Sequence, residues 1–331
     1  VITMAGTRRI LETGAQLERI AADQTQKPAV RVAALSALAS HRPGLAQPGF
    51  DFLLNTLRGE QDAEVRLSAA QAISKAVPSK EQLLALARGY MSQADPLVLP
   101  VLFNAFDKTR DEQVARALVD ALLQARAPLS GMAGERLEEL LKSYPRSVQT
   151  AAEPLLARVM EEKNSRGARL RKLEPLLTAG GDVGRGREIF FGKKVACSSC
   201  HTIGTEGGHV GPDLTSVGAV RSGVDLLEAI VFPSASFVPG HEVYRVTTAN
   251  AVHTGVRQGS GQGDVVLVAG PRDVVRIPRK EVVSMEPSTV SLMPDGFDTT
   301  LTERELTDLL AFLQSQTSRE AAAVHATGGS E

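Results

Sequence analysis

The sequence predicts a mainly α protein: a helical-repeat segment, then a second helical domain that carries a small antiparallel β insertion. Three observations lead there. Through residues 1–176, Ala, Leu and Val recur at spacings of three and four, the period of an amphipathic helix. Both cysteines of the 331-residue chain fall within CSSCH, Cys197 to His201, between further helical stretches. From about 241 to 286 the period becomes that of strands, with β-branched runs broken by turn residues.

Composition agrees and excludes several classes. The hydrophobic fraction of 43% is enough for buried cores, while aromatics make up only 4% and Trp is absent. That suits Ala/Leu packing and is low for a β-sandwich or a sugar-binding cleft. A net charge of −1 creates no strong field for nucleic acid or anionic lipid. No apolar run reaches the roughly 18 residues of a membrane span. The opening stretch VITMAGTRRI lacks the regions of a secretory signal. The expectation is a signal already removed, or a chain cut from a longer one.

The repeat signal comes first along the chain. Related stretches start at Val30, Val65, Val98, Val114 and Val148, at intervals of 35, 33, 16 and 34 residues. Pro28, Asp62, Asp95, Asp111 and Pro145 stand at or near the turns before them. One interval is out of phase, and the rest signal a helical solenoid over 1–176. The segment resembles HEAT-type repeats; an irregular helical bundle is the competing reading.

At TAGGDVGRG (178–186) the composition shifts to a linker followed by Asp182 as a helix N-cap. Residues 177–318 form the second domain, with two or three short helices up to 238. The β insertion over about 241–286 reads as five short antiparallel strands, a small barrel or curled sheet, with turns at Ala249-Asn250, GSGQGD and GPRD. Helix returns at TERELTDLLAFLQSQ, where Thr302 and Glu305 form a capping box and Leu306, Leu309, Leu310 and Leu313 make the apolar stripe. Residues 319–331 read as a flexible tail.

Cys-x-x-Cys-His is the attachment signal of a c-type haem. Two intervening residues let both sulfurs reach one porphyrin edge, and the adjacent His201 then supplies an axial nitrogen. A thioredoxin-like pair would follow a strand in a βαβ setting, whereas GRGREIFFG upstream reads as helix. A structural zinc site wants four ligands, and no further Cys exists. A Cys197–Cys200 disulfide would close too small a loop to stabilise much.

The order GRGREIFFGKKVACSSCHTIG, GPDL, SLMPDGF, LTERELTDLLAFLQ resembles a class I cytochrome c domain. That resemblance implies an N-terminal helix with contacts at Gly186 and Phe190, crossed by a C-terminal helix through Leu310 and Phe312. It implies that the Pro212 carbonyl accepts the proximal His201 Nδ1–H, and that Met293 is the distal iron ligand. Most methionines are core gap-fillers, and that is the plain alternative for Met293. Met285 is its rival, inside an expected strand. His209, His241 and His253 could make a bis-His haem, though each reads as a surface or loop residue.

The β segment departs from small cytochromes c. The arrangement is similar to the haem-binding domain found in large proteins of Planctomycetes and Verrucomicrobia. The matching pieces are RGREIFFGKKVACSSCH, GPDLTSVG, LLEAIVFPSA, PGHEVYRVTT, IPRKEVVSM and SLMPDGFDTTLTERELTDLLAFLQS. In that family the domain follows helical repeats at the C-terminus of a larger protein, often with a β-propeller resembling sugar dehydrogenases upstream.

The expected function is electron transfer through one covalent haem c whose iron is held by His201 and Met293. Electrons would come from a dehydrogenase domain or partner and pass to another cytochrome or an oxidase, in the periplasm. The alternatives are a haem sensor or peroxidase with an open sixth site, or a scaffold in which haem is structural. A peroxidase would want a distal His or Arg, and sequence does not place His209, Arg245 or Arg257 there. The solenoid is a spacer or a docking surface, and the β insertion shields the distal haem face or docks a partner. GSGQGDVV lacks the GK[ST] of a phosphate loop, and Asp264, Asp273 and Glu281 read as turn acids.

Overall fold

The computed structural model describes residues 14–41, 44–129, 132–249, 252–259, 263–271 and 273–317. The expected tail at 319–331 lies outside them, as do parts of the three expected strand turns. The protein is mostly helical with a small antiparallel sheet. It divides into two compact units, Val1–Lys163 and Asn164–Glu331. Among the described residues no helix is long and apolar enough to cross a membrane.

The first unit contains α1 (Gly14–Ala22), α2 (Pro28–His41), α3 (Gln47–Gly59), α4 (Ala63–Lys75) and α5 (Lys80–Gly89). It continues with α6 (Leu99–Phe106), α7 (Glu112–Leu123), α8 (Met132–Lys142), α9 (Arg146–Ala151) and α10 (Glu153–Asn164). Turn residues start these helices, as the sequence predicts. Asp62 caps α4 by accepting from Glu64 N–H, and Asp111 caps α7 by accepting from Gln113 and Val114. Pro28 opens α2, where its missing N–H costs nothing, and Pro145 precedes α9.

Alternate helices pack on one another: α2 on α4, α4 on α6 and α6 on α8, with α5 on α7 and α7 on α9. Phe50, Leu86, Leu102, Phe103, Phe106 and Leu118 are fully buried in the single core between the two rows. Ion pairs bridge neighbours at a repeating separation. Arg66 Nε meets Asp95 at 3.0 Å, Arg136 meets Asp107 at 2.6 Å and Lys80 meets Asp111 at 2.7 Å, over 29, 29 and 31 residues.

Asp95 combines two roles, since its Oδ1 also accepts from Leu97 N (2.9 Å) and Val98 N (3.2 Å) just before α6. Asp95→Ala removes the turn bonds before α6 and the charge partner of a largely buried Arg66, which keeps its bonds to Glu60 O and Gln61 O. The expected loss is about 2 kcal/mol from the first unit, read as a lowered urea midpoint. Asp95→Asn, which keeps an accepting oxygen, is expected to lose less.

The second unit begins thirteen residues earlier than the 176/177 boundary expected from sequence. The reason is α11 (Arg166–Leu173) and the 3₁₀ turn Glu174–Thr178. Leu170, Leu173, Leu176 and Leu177 pack against the second unit's core, and Arg169 forms a two-pronged pair with Asp298 at 2.5 and 2.7 Å. Then follow α12 (Val183–Phe191), α13 (Val217–Val220), α14 (Gly223–Val231), α15 (Phe297–Thr300) and α16 (Glu303–Ser315). Asp182 caps α12, and Thr302 with Glu305 forms the capping box of α16.

Helices α12 and α16 cross at Gly186, where a Cβ would strike the Asp308 carbonyl. Phe190, Phe191 and Phe312 cluster beside the crossing, with ring centroids 5.0 to 6.4 Å apart. Asp308 is buried and accepts from Asp182 N (2.7 Å) and from Arg185 Nε (2.7 Å).

The Arg185 hydrogen bonds are the largest cause holding the Asp308 carboxyl below its ordinary pKa, against the opposing cost of burial. A group depressed in the folded state contributes stability above its unfolded pKa and loses it as pH falls through the folded value. The thermal midpoint of the second unit is therefore expected to drop in acid, below the ordinary aspartate range. Asp308→Asn is expected to flatten that limb.

A five-stranded antiparallel sheet is inserted before α15, in the order β6-β5-β4-β3-β7. Its strands are β3 (Val243–Thr248), β4 (Val252–Gln258), β5 (Val265–Gly270), β6 (Asp273–Ile277) and β7 (Val282–Pro287). Among the described residues β6 and β7 are edges, so the sheet is open rather than a closed barrel. It has its own small core of Val246, Val265, Leu267 and Ile277. A two-residue ladder pairs β1 (Thr202–Ile203) with β2 (Glu206–Gly207). The sequence reading missed it because strands this short carry no periodicity; Gly204 at φ 64° makes its turn.

Candidate functional site

The chain leaves α12 at Gly192, whose N–H bonds to Ile189 O, and reaches the cysteines through Ala196. Ala196 adopts φ 52°, the left-handed region that costs a residue with a Cβ about 1 kcal/mol. That turn feeds the 3₁₀ segment Cys197–Ser199. Cys200 N and His201 N both donate to Cys197 O, at 3.2 and 3.0 Å. One tight turn thus carries both sulfurs and the histidine.

The following loop folds back onto this turn. Gly208 N donates to Ser198 O at 2.8 Å, and Val210 N and Gly211 N both donate to Cys200 O, at 3.0 and 2.9 Å. The return brings Pro212 O to 2.9 Å from His201 Nδ1. A proline carbonyl can only accept, so Nδ1 carries the proton and Nε2 keeps its lone pair. Gly211 lies flat on the imidazole, and any Cβ there would run into the ring. Burial, the larger cause, lowers the His201 pKa; the Pro212 bond opposes it, and the charge of His241 adds to it. The ring is therefore neutral at pH 7, locked in one tautomer, and ready to coordinate a metal.

Cys197 and Cys200 are half-buried thiols that form no disulfide among the described residues. Burial, reinforced by Cys200, pushes the Cys197 thiol up to about 12. A redox-active or nucleophilic pair needs the opposite shift, so the geometry disfavours a thioredoxin-like reading.

Met293 borders the same core as Cys197, Ile203 and Leu214. Its loop is fixed on both sides: Met293 N donates to Ser291 Oγ at 3.1 Å, and Pro294 to Phe297 are buried. Met285 is elsewhere, on β7 opposite Val246 against the sheet's own core. His209 is exposed, with Nδ1 3.0 Å from Thr202 Oγ1. His253 lies on β4 opposite Val246, and Arg245 and Arg257 are ladder residues of β3 and β4.

His241 lies in the loop before β3, as its sequence reading expects, but its ring is not fully exposed. Its Nδ1 is buried, and together with Arg166 Nε it lacks a hydrogen-bond partner among the described residues. Such an atom costs about 1–3 kcal/mol. No local sequence signal marks it, because burial of a single ring atom depends on the tertiary fold.

The donor set fits a covalent haem: two thiols one turn apart, a neutral imidazole with a free Nε2, a thioether on the same core, and an unsatisfied ring nitrogen. Among the described residues no group of three or more His, Cys, Asp and Glu side chains could hold a metal ion alone, and Asp264, Asp273 and Glu281 do not form one. No protein-family model matches the chain, and no curated protein does either.

Proposed function

We propose that this chain is a c-type cytochrome electron-transfer module, preceded by a HEAT-like solenoid and similar to the haem-binding domain of large Planctomycetes and Verrucomicrobia proteins. The observation that carries this reading is the His201–Pro212 bond, which orients Nε2 as a ligand on the same tight turn as the Cys197 and Cys200 thiols. Cys197 and Cys200 would hold the porphyrin through thioethers, and His201 and Met293 would hold its iron. When bound, the haem supplies a one-electron centre between a dehydrogenase domain or partner and another cytochrome or oxidase.

The rest of the chain sets conditions around that centre. Pro212 holds the imidazole and raises its basicity, and the Gly186 crossing holds the helices on which the cysteine turn is built. The Met293 thioether would favour the reduced iron if it held the haem together with His201. The alternate stacking of helices in the first unit supports the solenoid reading, and such a surface serves as a spacer or a docking face. Thioether attachment takes place outside the cytoplasm, so the proposed location is the periplasm.

The test is the optical spectrum of exported, haem-ligated protein, oxidised and reduced, for wild type and Met293→Ala. The wild type is expected to be low-spin with the far-red sulfur-to-iron band, and the variant to lose that band. A high-spin wild type, or a variant that keeps the band, would remove Met293 as a ligand. The sensor or peroxidase reading would then replace the electron carrier.

A further inference from the structure

We propose that His241 is a second haem-pocket ligand, able to take the sixth iron position when Met293 is absent. The inference rests on the haem reading above and extends it to a residue outside the CxxCH–Met set. Two geometric observations carry it. First, His241 Nδ1 is buried with no hydrogen-bond partner among the described residues. Its backbone N–H is satisfied by Val238 O at 3.0 Å, so the unmet demand belongs to the ring alone. An imidazole nitrogen without a hydrogen-bond partner is suited to a metal, and either ring nitrogen can bind one.

Second, the sheet brings His241 and Met293 off the same end. Strands β3 and β7 pair antiparallel, with Tyr244 opposite Pro287. Beyond that pair Ser288 N donates to Val243 O at 2.7 Å, and Ser291 N donates to Ser234 Oγ at 3.1 Å. The segment entering β3, which ends in His241, therefore runs beside the segment leaving β7, which ends in Met293. The two segments that leave this end of the sheet thus carry His241 and Met293.

The experiment uses the full chain, exported and haem-ligated, as wild type, His241→Phe, Met293→Ala and the double variant. Phe keeps the ring volume so that the pocket stays filled. Covalent haem is quantified in each by pyridine haemochrome, and ligation is read by electron paramagnetic resonance, near-infrared magnetic circular dichroism and carbon monoxide titration. His241→Phe should keep the sulfur-to-iron band. Met293→Ala should lose it yet remain low-spin with a two-nitrogen signature. The double variant should be high-spin and bind carbon monoxide at least ~10-fold more tightly than Met293→Ala, because a tethered ligand competes at millimolar effective concentration. Added imidazole should return the double variant to the two-nitrogen spectrum, which shows that its pocket is intact.

If all four proteins carry haem and Met293→Ala is already high-spin like the double variant, the His241 inference is overturned while the haem reading stands. A wild type with no covalent haem overturns both.

Discussion

A chain carrying Cys197→Ser and Cys200→Ser together, exported under conditions that ligate haem to the wild type, is expected to retain no haem after denaturation. Each sulfur contributes one covalent link, so either single variant should keep a single link and the pair should keep none. The fold itself should change little. Ser is close to Cys in size, both thiols are half-buried, and burial keeps the Cys197 thiol protonated. Far-ultraviolet circular dichroism should therefore overlay the wild type while the haem stain on a denaturing gel disappears. His201→Ala separates attachment from ligation. It keeps both thiols but removes the nitrogen and strands the Pro212 carbonyl, so residual covalent haem should be high-spin. Haem that stayed bound to the double serine variant would place the attachment elsewhere and sink the proposal. An unstained wild type would do the same.

Why some of this was legible in the sequence and some was not has a physical answer. Signals that act within one turn of chain are written locally. Asp62, Asp111, Asp182 and Thr302 each satisfy N–H groups two or three residues ahead, so each helix start could be read from a short window. The CxxCH spacing is local in the same way, and the strands declared themselves by β-branched runs. Features that depend on distant partners were not readable. Arg185 meets Asp308 across 123 residues, and Ser234 meets Ser291 across 57. The start of the second unit was misplaced for a related reason. Helix α11, RGARLRKL, buries no residue fully, so its sequence carries little apolar signal to say which core it serves. Its allegiance is set by half-buried leucines and by the Arg169–Asp298 pair, formed across 129 residues. The unpartnered nitrogen of His241 belongs to this class too, since burial of one ring atom is a tertiary fact.

The crossing of α12 and α16 yields the largest expected stability effect. In Gly186→Val the new Cβ would collide with the Asp308 carbonyl oxygen and stand 2.6 Å from Phe312 Cβ. The carbonyl is helix backbone and cannot swing aside as a side chain would, so the two helices must separate. Separation reaches three further interactions. The Phe190, Phe191 and Phe312 cluster loses its close contacts. Asp308 is drawn away from Arg185 and from the Asp182 N–H, and Lys194 is drawn away from Glu305, now 2.7 Å apart. Overpacking alone costs roughly 1–3 kcal/mol, and loosening the hydrogen bonds that satisfy the buried Asp308 carboxylate adds to it. The sum exceeds about 3 kcal/mol, a large part of the stability of an ordinary domain. Because the damage lies inside the second unit, calorimetry of Gly186→Val should show that unit melting far earlier while the transition of the first unit stays in place. Gly167→Ala is the control. It also adds a methyl to a helix of the second unit, but meets only the flexible end of Arg171, at 3.5 Å. Its expected effect is within about 1 kcal/mol of wild type, on the stabilising side. Equal losses in the two variants would mean that the second unit tolerates no added bulk anywhere, and the close crossing at Gly186 would lose its special role.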